Sequence, residues 1–173
     1  MQTISNNPIQ PVPIQPEETN GIVRAKDLNN LEHYHQQLQG LFSTFRPNIH
    51  FRIIPSRRGG DTSVLTKAGA ERICLFLGLT QAFIPQTNTT IIDYQNGFFC
   101  FSYECKLFKD GVFIGNGFGN CNNKEEKYVK QVGFDIINTI DRMAQKRALV
   151  AATLFCTGAS TYFGQKLRDL NWF

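Results

Sequence analysis

The stretch TTIIDYQNGFFCFSYECKLFKDGVFIGNGFG, Thr89 to Gly119, decides the fold. Short β-branched and aromatic runs alternate with two dipeptides, Asn96-Gly97 and Asp110-Gly111, of the kind that supplies the positive φ of hairpin turns. The spacing predicts three antiparallel strands in a meander. On the middle strand Phe99, Phe101, Tyr103, Cys105 and Leu107 fall two apart and share one face. Aromatics so spaced can stack on exposed bases, but this row is long and uninterrupted by charge, so core packing is its expected role.

C-terminal to the meander, NNKEEKYVKQ places Asn122 and Glu125 at capping-box spacing and leads into DIINTIDRMAQKRALVAATLF, Asp135 to Phe155. At roughly 100° per residue Ile136, Ile140, Met143, Ala144, Val150, Ala151 and Leu154 fall in one broad arc of a helix, with Arg147 near its centre. Burying a guanidinium without a partner costs on the order of several kcal/mol. Three outcomes stay open: a carboxylate of the chain meets Arg147, it lies at the edge of a groove, or an external phosphate meets it. Lys146 precedes it, and Arg142 lies on the flank of Lys146 at i,i+4 spacing, where like charges repel unless an anion compensates.

N-terminal to the meander, residues 1–22 are rich in Pro, Gln and Asn and are expected to form a disordered arm, leaving residues 23–173 as one domain. Asp27 is a good N-cap for a helix with Leu28, Leu31, Leu38, Leu41, Phe42 and Phe45 at helical spacing, closed by Pro47. IHFRIIP alternates Ile49, Phe51 and Ile53 against His50 and Arg52, the period of a half-buried strand. PSRRGGDTS reads as a loop, and TKAGAERICLFLGL as a helix capped by Thr66 and stopped at Gly78. Ser160 can cap a short last helix carrying Lys166 and Arg168. The fold expected from this order is α+β: an antiparallel three- to four-stranded meander packed against a long helix, with an N-terminal helix and a β-loop-α unit.

With 173 residues, 42% apolar and 15 Phe, the chain can bury a core without metal or disulfide staples. No apolar run approaches the roughly 20 residues of a membrane span, and the N-terminus lacks a secretory pattern, so a cytoplasmic protein is expected. Five cysteines without a CxxC pair suggest reduced, buried thiols rather than a disulfide framework or zinc site. His33 and His35 cannot share a helix face, and His50 stands alone. There is no P-loop, and GNGFGN, Gly115 to Asn120, has the wrong spacing and flanks for a dinucleotide fingerprint. No cofactor is expected. The net charge of +4 is matched by one window, in which Arg46, Arg52, Arg57, Arg58, Lys67 and Arg72 face only Asp61 and Glu71. Such a patch attracts phosphates, although a solvated basic surface is equally common.

One enzymatic arrangement is worth weighing. Glu104 and Lys106 share a strand face and Asp93 lies on the adjoining hairpin strand, similar to the acid plus Glu-x-Lys core of many metal-dependent nucleases. A solvated strand face with a salt bridge is the alternative. No serine or cysteine triad is suggested by local context.

Three blocks also resemble, in the same order, the Rad-fifty-two-type single-strand annealing proteins. FRIIPSRRGGDTSVLTKAGAERICLFLGL is similar to their strand, Ser-Arg-x-x-Gly-Gly loop and helix; NGFFCFSYECKLFKDGVFIGNGFGNCNNKEEK is similar to their meander and charged linker; NTIDRMAQKRALVAATLFCTGAS is similar to their long helix, whose Lys-Arg-Ala-Leu segment lines a DNA groove. The similarity runs over roughly residues 27 to 170. It implies a non-enzymatic, ATP-independent protein that anneals single-stranded DNA in recombination and repair, as a homo-oligomeric ring or helical arc. It also implies a compact bacterial or phage-type version, acting in the cytoplasm with a single-strand-binding protein or an exonuclease as further partner. By the resemblance Arg57 takes the place of a loop arginine on the DNA backbone, and Lys146 and Arg147 those of the groove-floor pair. Arg58, Lys67 and Arg142 join the expected site from local charge, whereas Val150 stands where a further basic residue is expected. Outside this resemblance, a non-catalytic RNA-binding or scaffold domain stays open.

Overall fold

The computed structural model describes residues 28–55, 60–131 and 135–164. The expected arm at residues 1–22, the Asp27 cap and the helix carrying Lys166 and Arg168 lie outside the described residues. The elements run α1 (Leu28–Phe42), β1 (Phe51–Ile54), β2 (Thr62–Leu65), α2 (Lys67–Leu77), β3 (Leu79–Pro85), β4 (Ile91–Asp93), β5 (Phe98–Lys109), β6 (Val112–Asn122) and α3 (Ile136–Thr157), then a 3-10 turn at Ala159–Thr161 that includes Ser160. The architecture is α+β, with α3 packed against a four-stranded antiparallel sheet.

The meander forms around β5. Along one edge β3 pairs with residues 103–109 and β4 with residues 98–100; β6 takes the other edge from Cys100 to Lys109. At the second hairpin Asp110 and Gly111 adopt φ of 50° and 78°, the paired left-handed conformation of a two-residue turn. The first turn is longer than its Asn-Gly dipeptide suggests. Asp93 pairs with Phe98, and the Asp93 carboxylate bridges the turn by accepting from the Asn96 backbone N–H at 3.0 Å and its amide at 2.7 Å. Phe99, Cys105 and Leu107 are buried and Phe101 and Tyr103 half-buried on the α3 side, as expected for a core face.

Two strands differ from the sequence expectation. TSVL belongs to a strand rather than the loop: β2 pairs with β1 from Phe51↔Leu65 to Ile54↔Thr62, burying Ser63 and Leu65 in alternation. Directly after α2, Gly78 at φ 67° reverses the chain so that LTQAFIP becomes β3. Thr66 caps α2 as expected, its hydroxyl accepting from Gly69 N–H at 3.2 Å.

The buried stripe of α3 is also rotated from the expected arc. Ile136, Ile140, Ala144, Ala148 and Ala152 are buried with Leu149, Thr153 and Thr157, whereas Met143, Val150, Ala151 and Leu154 are half-buried. Glycines cause the rotation. A Cβ on Gly117 would overlap the backbone of Ala152, and one on Gly119 the backbone of Ala148, so helix and strand meet with no side chain between them. Strand residues two apart advance about 6.6 Å and helix residues four apart about 6 Å. Gly115, Gly117 and Gly119 therefore step in register with Cys156, Ala152 and Ala148. The hydroxyls of Thr153 and Thr157 are satisfied by the carbonyls of Leu149 and Thr153 at 2.9 and 2.7 Å. Arg147 consequently stands at the margin of the buried face.

Candidate nucleic-acid interface

Arg147 is met by a carboxylate of its own chain. Its two Nη atoms donate to the two carboxylate oxygens of Glu125, each at 2.6 Å, and Nη1 also donates to the Asn120 carbonyl at 2.7 Å. This corrects the placing of Arg147 at the centre of an apolar face: its side chain is 41% exposed and its charge is compensated internally. The guanidinium holds the Glu125 carboxyl down at about 2, against an ordinary 4.5, and is itself raised by the pair. Glu125 reaches this position from a turn whose other contacts match the expected capping box, with Asn122 N–H donating to Glu125 Oε1 at 3.3 Å and Lys124 N–H to Asn122 Oδ1 at 2.9 Å. The box organises residues 122–128 and not the start of α3, which begins at Ile136.

Lys146 has the opposite environment. Partial burial pushes its pKa down, and repulsion from Arg52, Lys127 and Lys67 adds to the effect. These four cations come from α3, β1, the segment after β6 and the first turn of α2, so the tertiary fold gathers them rather than any single run of sequence. Lys67 is paired with Glu71 at 3.1 Å across one helical turn, an exposed bridge that leaves its charge largely available. Lys127 lies over the Tyr128 ring, 5.2 Å from its centroid. Among the described residues no carboxylate lies within ion-pair distance of Lys146, Arg52 or Lys127. Such an arrangement can accept the closely spaced phosphates of a polynucleotide backbone.

Of the residues expected at the interface, Lys67 and Lys146 come together. Arg142 is exposed one turn before Lys146, and no described carboxylate pairs with it. Arg57 and Arg58 fall in the β1–β2 connection, outside the described residues. Arg52 and Lys127 are additions. Arg52 is exposed on β1, where only Phe51 is buried, and the apolar-polar spacing of IHFRIIP already marks it as outward-facing; Lys127 is hidden in a mixed charge run whose capping role dominates its appearance.

The nuclease arrangement does not assemble. Asp93 pairs with Phe98, six residues along β5 from Glu104, which at about 3.3 Å per residue is about 20 Å. The Asp93 carboxylate is spent on Asn96, which lowers its pKa. Glu104 accepts from Asn116 Nδ2 at 2.6 Å and lies 3.9 Å from Lys106 Nζ, the solvated salt-bridged face that was the alternative. Among the described residues no three His, Cys, Asp or Glu side chains are grouped to hold a metal ion. The five cysteines are free thiols, and burial pushes Cys105 and Cys121 up to about 12 and 11, which keeps them protonated.

No helix among the described residues is long and apolar enough to cross a membrane. No protein-family model matches the chain, and no curated protein matches it.

Proposed function

We propose that the chain binds single-stranded DNA through the cations around Lys146 and anneals complementary strands without ATP, as a homo-oligomer whose neighbouring subunits extend the basic surface. The observation that carries this is the gathering of Lys146, Arg52, Lys67 and Lys127 from four separate elements, with no described carboxylate within ion-pair distance of Lys146. Positive groups held together against their own repulsion suit an anion that arrives from outside. The backbone would be held by phosphate contacts, leaving bases free to test pairing. The resemblance to the single-strand annealing proteins supports the same activity in recombination and repair. It also extends the proposal to cytoplasmic action in a bacterial or phage-infected cell beside a single-strand-binding protein or exonuclease. Arg147 lends no direct support, because Glu125 already occupies its donors.

The deciding experiment mixes complementary oligonucleotides with the purified protein and follows duplex formation beside solution size. Acceleration of pairing by an oligomer, weakening with salt, is the expected result. A monomer that leaves the pairing rate unchanged defeats the proposal; binding without acceleration identifies a passive RNA- or DNA-binding scaffold. Strand cleavage in Mg²⁺ identifies a nuclease.

A further inference from the structure

A second group of cations sits where α1 leads into β1. Phe45 is buried there, with the His50 ring centroid 4.9 Å from its own and the Arg72 Cζ 6.0 Å away. Arg72 Nη2 donates to Thr44 Oγ1 at 3.0 Å, which fixes the guanidinium beside the aromatic ring. His50 Nδ1 accepts from the Arg46 backbone N–H at 2.9 Å. That bond assigns the proton of the neutral imidazole to Nε2, leaving it as a donor. The turn holding Arg46 and His50 together is built on Asn48 at φ 64°, whose N–H donates to the Phe51 carbonyl at 2.7 Å.

Arg46 and Arg72 both act on His50: after burial, their charges are what push its pKa down. Neither arginine has a carboxylate within ion-pair distance among the described residues, in contrast to Arg147. The cations that act on Lys146 are Arg52, Lys127 and Lys67, so the two groups have no member in common. The Arg72 guanidinium held by Thr44 and the oriented His50 N–H, with the permanently charged Arg46 on the same turn as His50, suit one tetrahedral anion with several acceptor oxygens.

We propose that Arg46, His50 and Arg72 form a phosphate-binding site separate from the cations around Lys146, taking a phosphate ester or diester between the two guanidinia and the His50 Nε2–H. The site does not depend on the annealing activity.

The test follows the imidazole NMR signals of His33, His35 and His50 while inorganic phosphate, and separately a single-stranded oligothymidylate, are added at constant ionic strength. His50 should shift saturably with His33 and His35 unmoved. Arg72→Gln, which removes the charge and keeps a polar side chain, should weaken phosphate binding by about tenfold. Lys146→Ala should leave it unchanged. Saturation by oligothymidylate at far lower concentration than by phosphate identifies a polynucleotide backbone as the source, and equal strength per phosphate identifies a free phosphate or monoester. A His50 signal that does not move, that moves equally with chloride, or that responds unaltered in a folded Arg72→Gln variant overturns the site. Because Lys146→Ala and wild-type annealing are scored separately, failure here leaves the proposed function standing, and the reverse also holds.

Discussion

Glu125→Gln removes one charge from the best-formed ion pair among the described residues while leaving an acceptor for Arg147, and its effect on stability can be worked from the geometry. Lowering a carboxyl from 4.5 to about 2 corresponds to a ceiling of about 3 kcal/mol at 1.36 kcal/mol per unit. Arg147 is 41% exposed, so solvent screening removes a large share, and the residual one-armed hydrogen bond of the glutamine keeps some more. The expected loss at pH 7 is about 1–2 kcal/mol. The sign follows from the direction of the shift. A carboxyl depressed in the folded state contributes stability that is present above its unfolded value near 4.5 and is lost as pH falls through the folded value of about 2. Urea unfolding of wild type and Glu125→Gln should therefore show a constant gap from pH 7 to about 5 that narrows steadily between about 4.5 and 2. A gap that is absent at pH 7, or that persists undiminished at pH 2.5, would refute the assignment of Arg147 to Glu125.

Lys146→Ala and Arg52→Ala should each weaken single-stranded DNA binding across all sequences and flatten the log-log salt dependence by about 0.7, measured by fluorescence anisotropy at several salt concentrations. An unchanged slope in both would remove the interface. Gly119→Ala should destabilise the fold by about 1–3 kcal/mol or more, because its Cβ meets helix backbone that cannot rotate aside; thermal unfolding reads this, and a wild-type midpoint would contradict the packing. His50, whose pKa is lowered in the folded state, should contribute stability above pH 6.5 that is lost as pH falls below that value, and His50→Gln should abolish that step in the stability profile.

Local signals were legible wherever one residue type has one physical use. Thr66 and Gly78 mark both ends of α2 because a hydroxyl cap and a left-handed stop are each specific, and Asp110-Gly111 marks its turn for the same reason. β2 and β3 were not legible. TSVL is too short to show a period, and LTQAFIP carries polar and apolar residues without the alternation of its neighbours, since it is largely exposed. The expected arc of α3 is displaced from its buried face because it is centred on Arg147 and takes in Met143, Val150 and Leu154, whereas Ala148 and Ala152 make the contact with β6. The informative pattern is relational: Gly-x-Gly-x-Gly on a strand matched to Ala148, Ala152 and Cys156 at every fourth helical position. One member of the basic site is equally relational. Lys127 joins Lys146 only through the path of the chain after β6, and nothing local to KEEK announces it.

The Arg147 contact with Asn120 has a consequence beyond charge. Ser102 directs its N–H toward Thr90 and its carbonyl toward Gln86, so its cross-strand partner Asn120 turns its own backbone groups away from β5, to the outer margin of the sheet. An eleven-residue strand with glycines and no described strand along its outer margin is an invitation to unplanned strand addition. By occupying that carbonyl, a side chain from the neighbouring helix plugs the margin near the C-terminal end of the strand. A chain lacking the plug has a ready route to stacking with its own kind in ways that no ordered assembly would use.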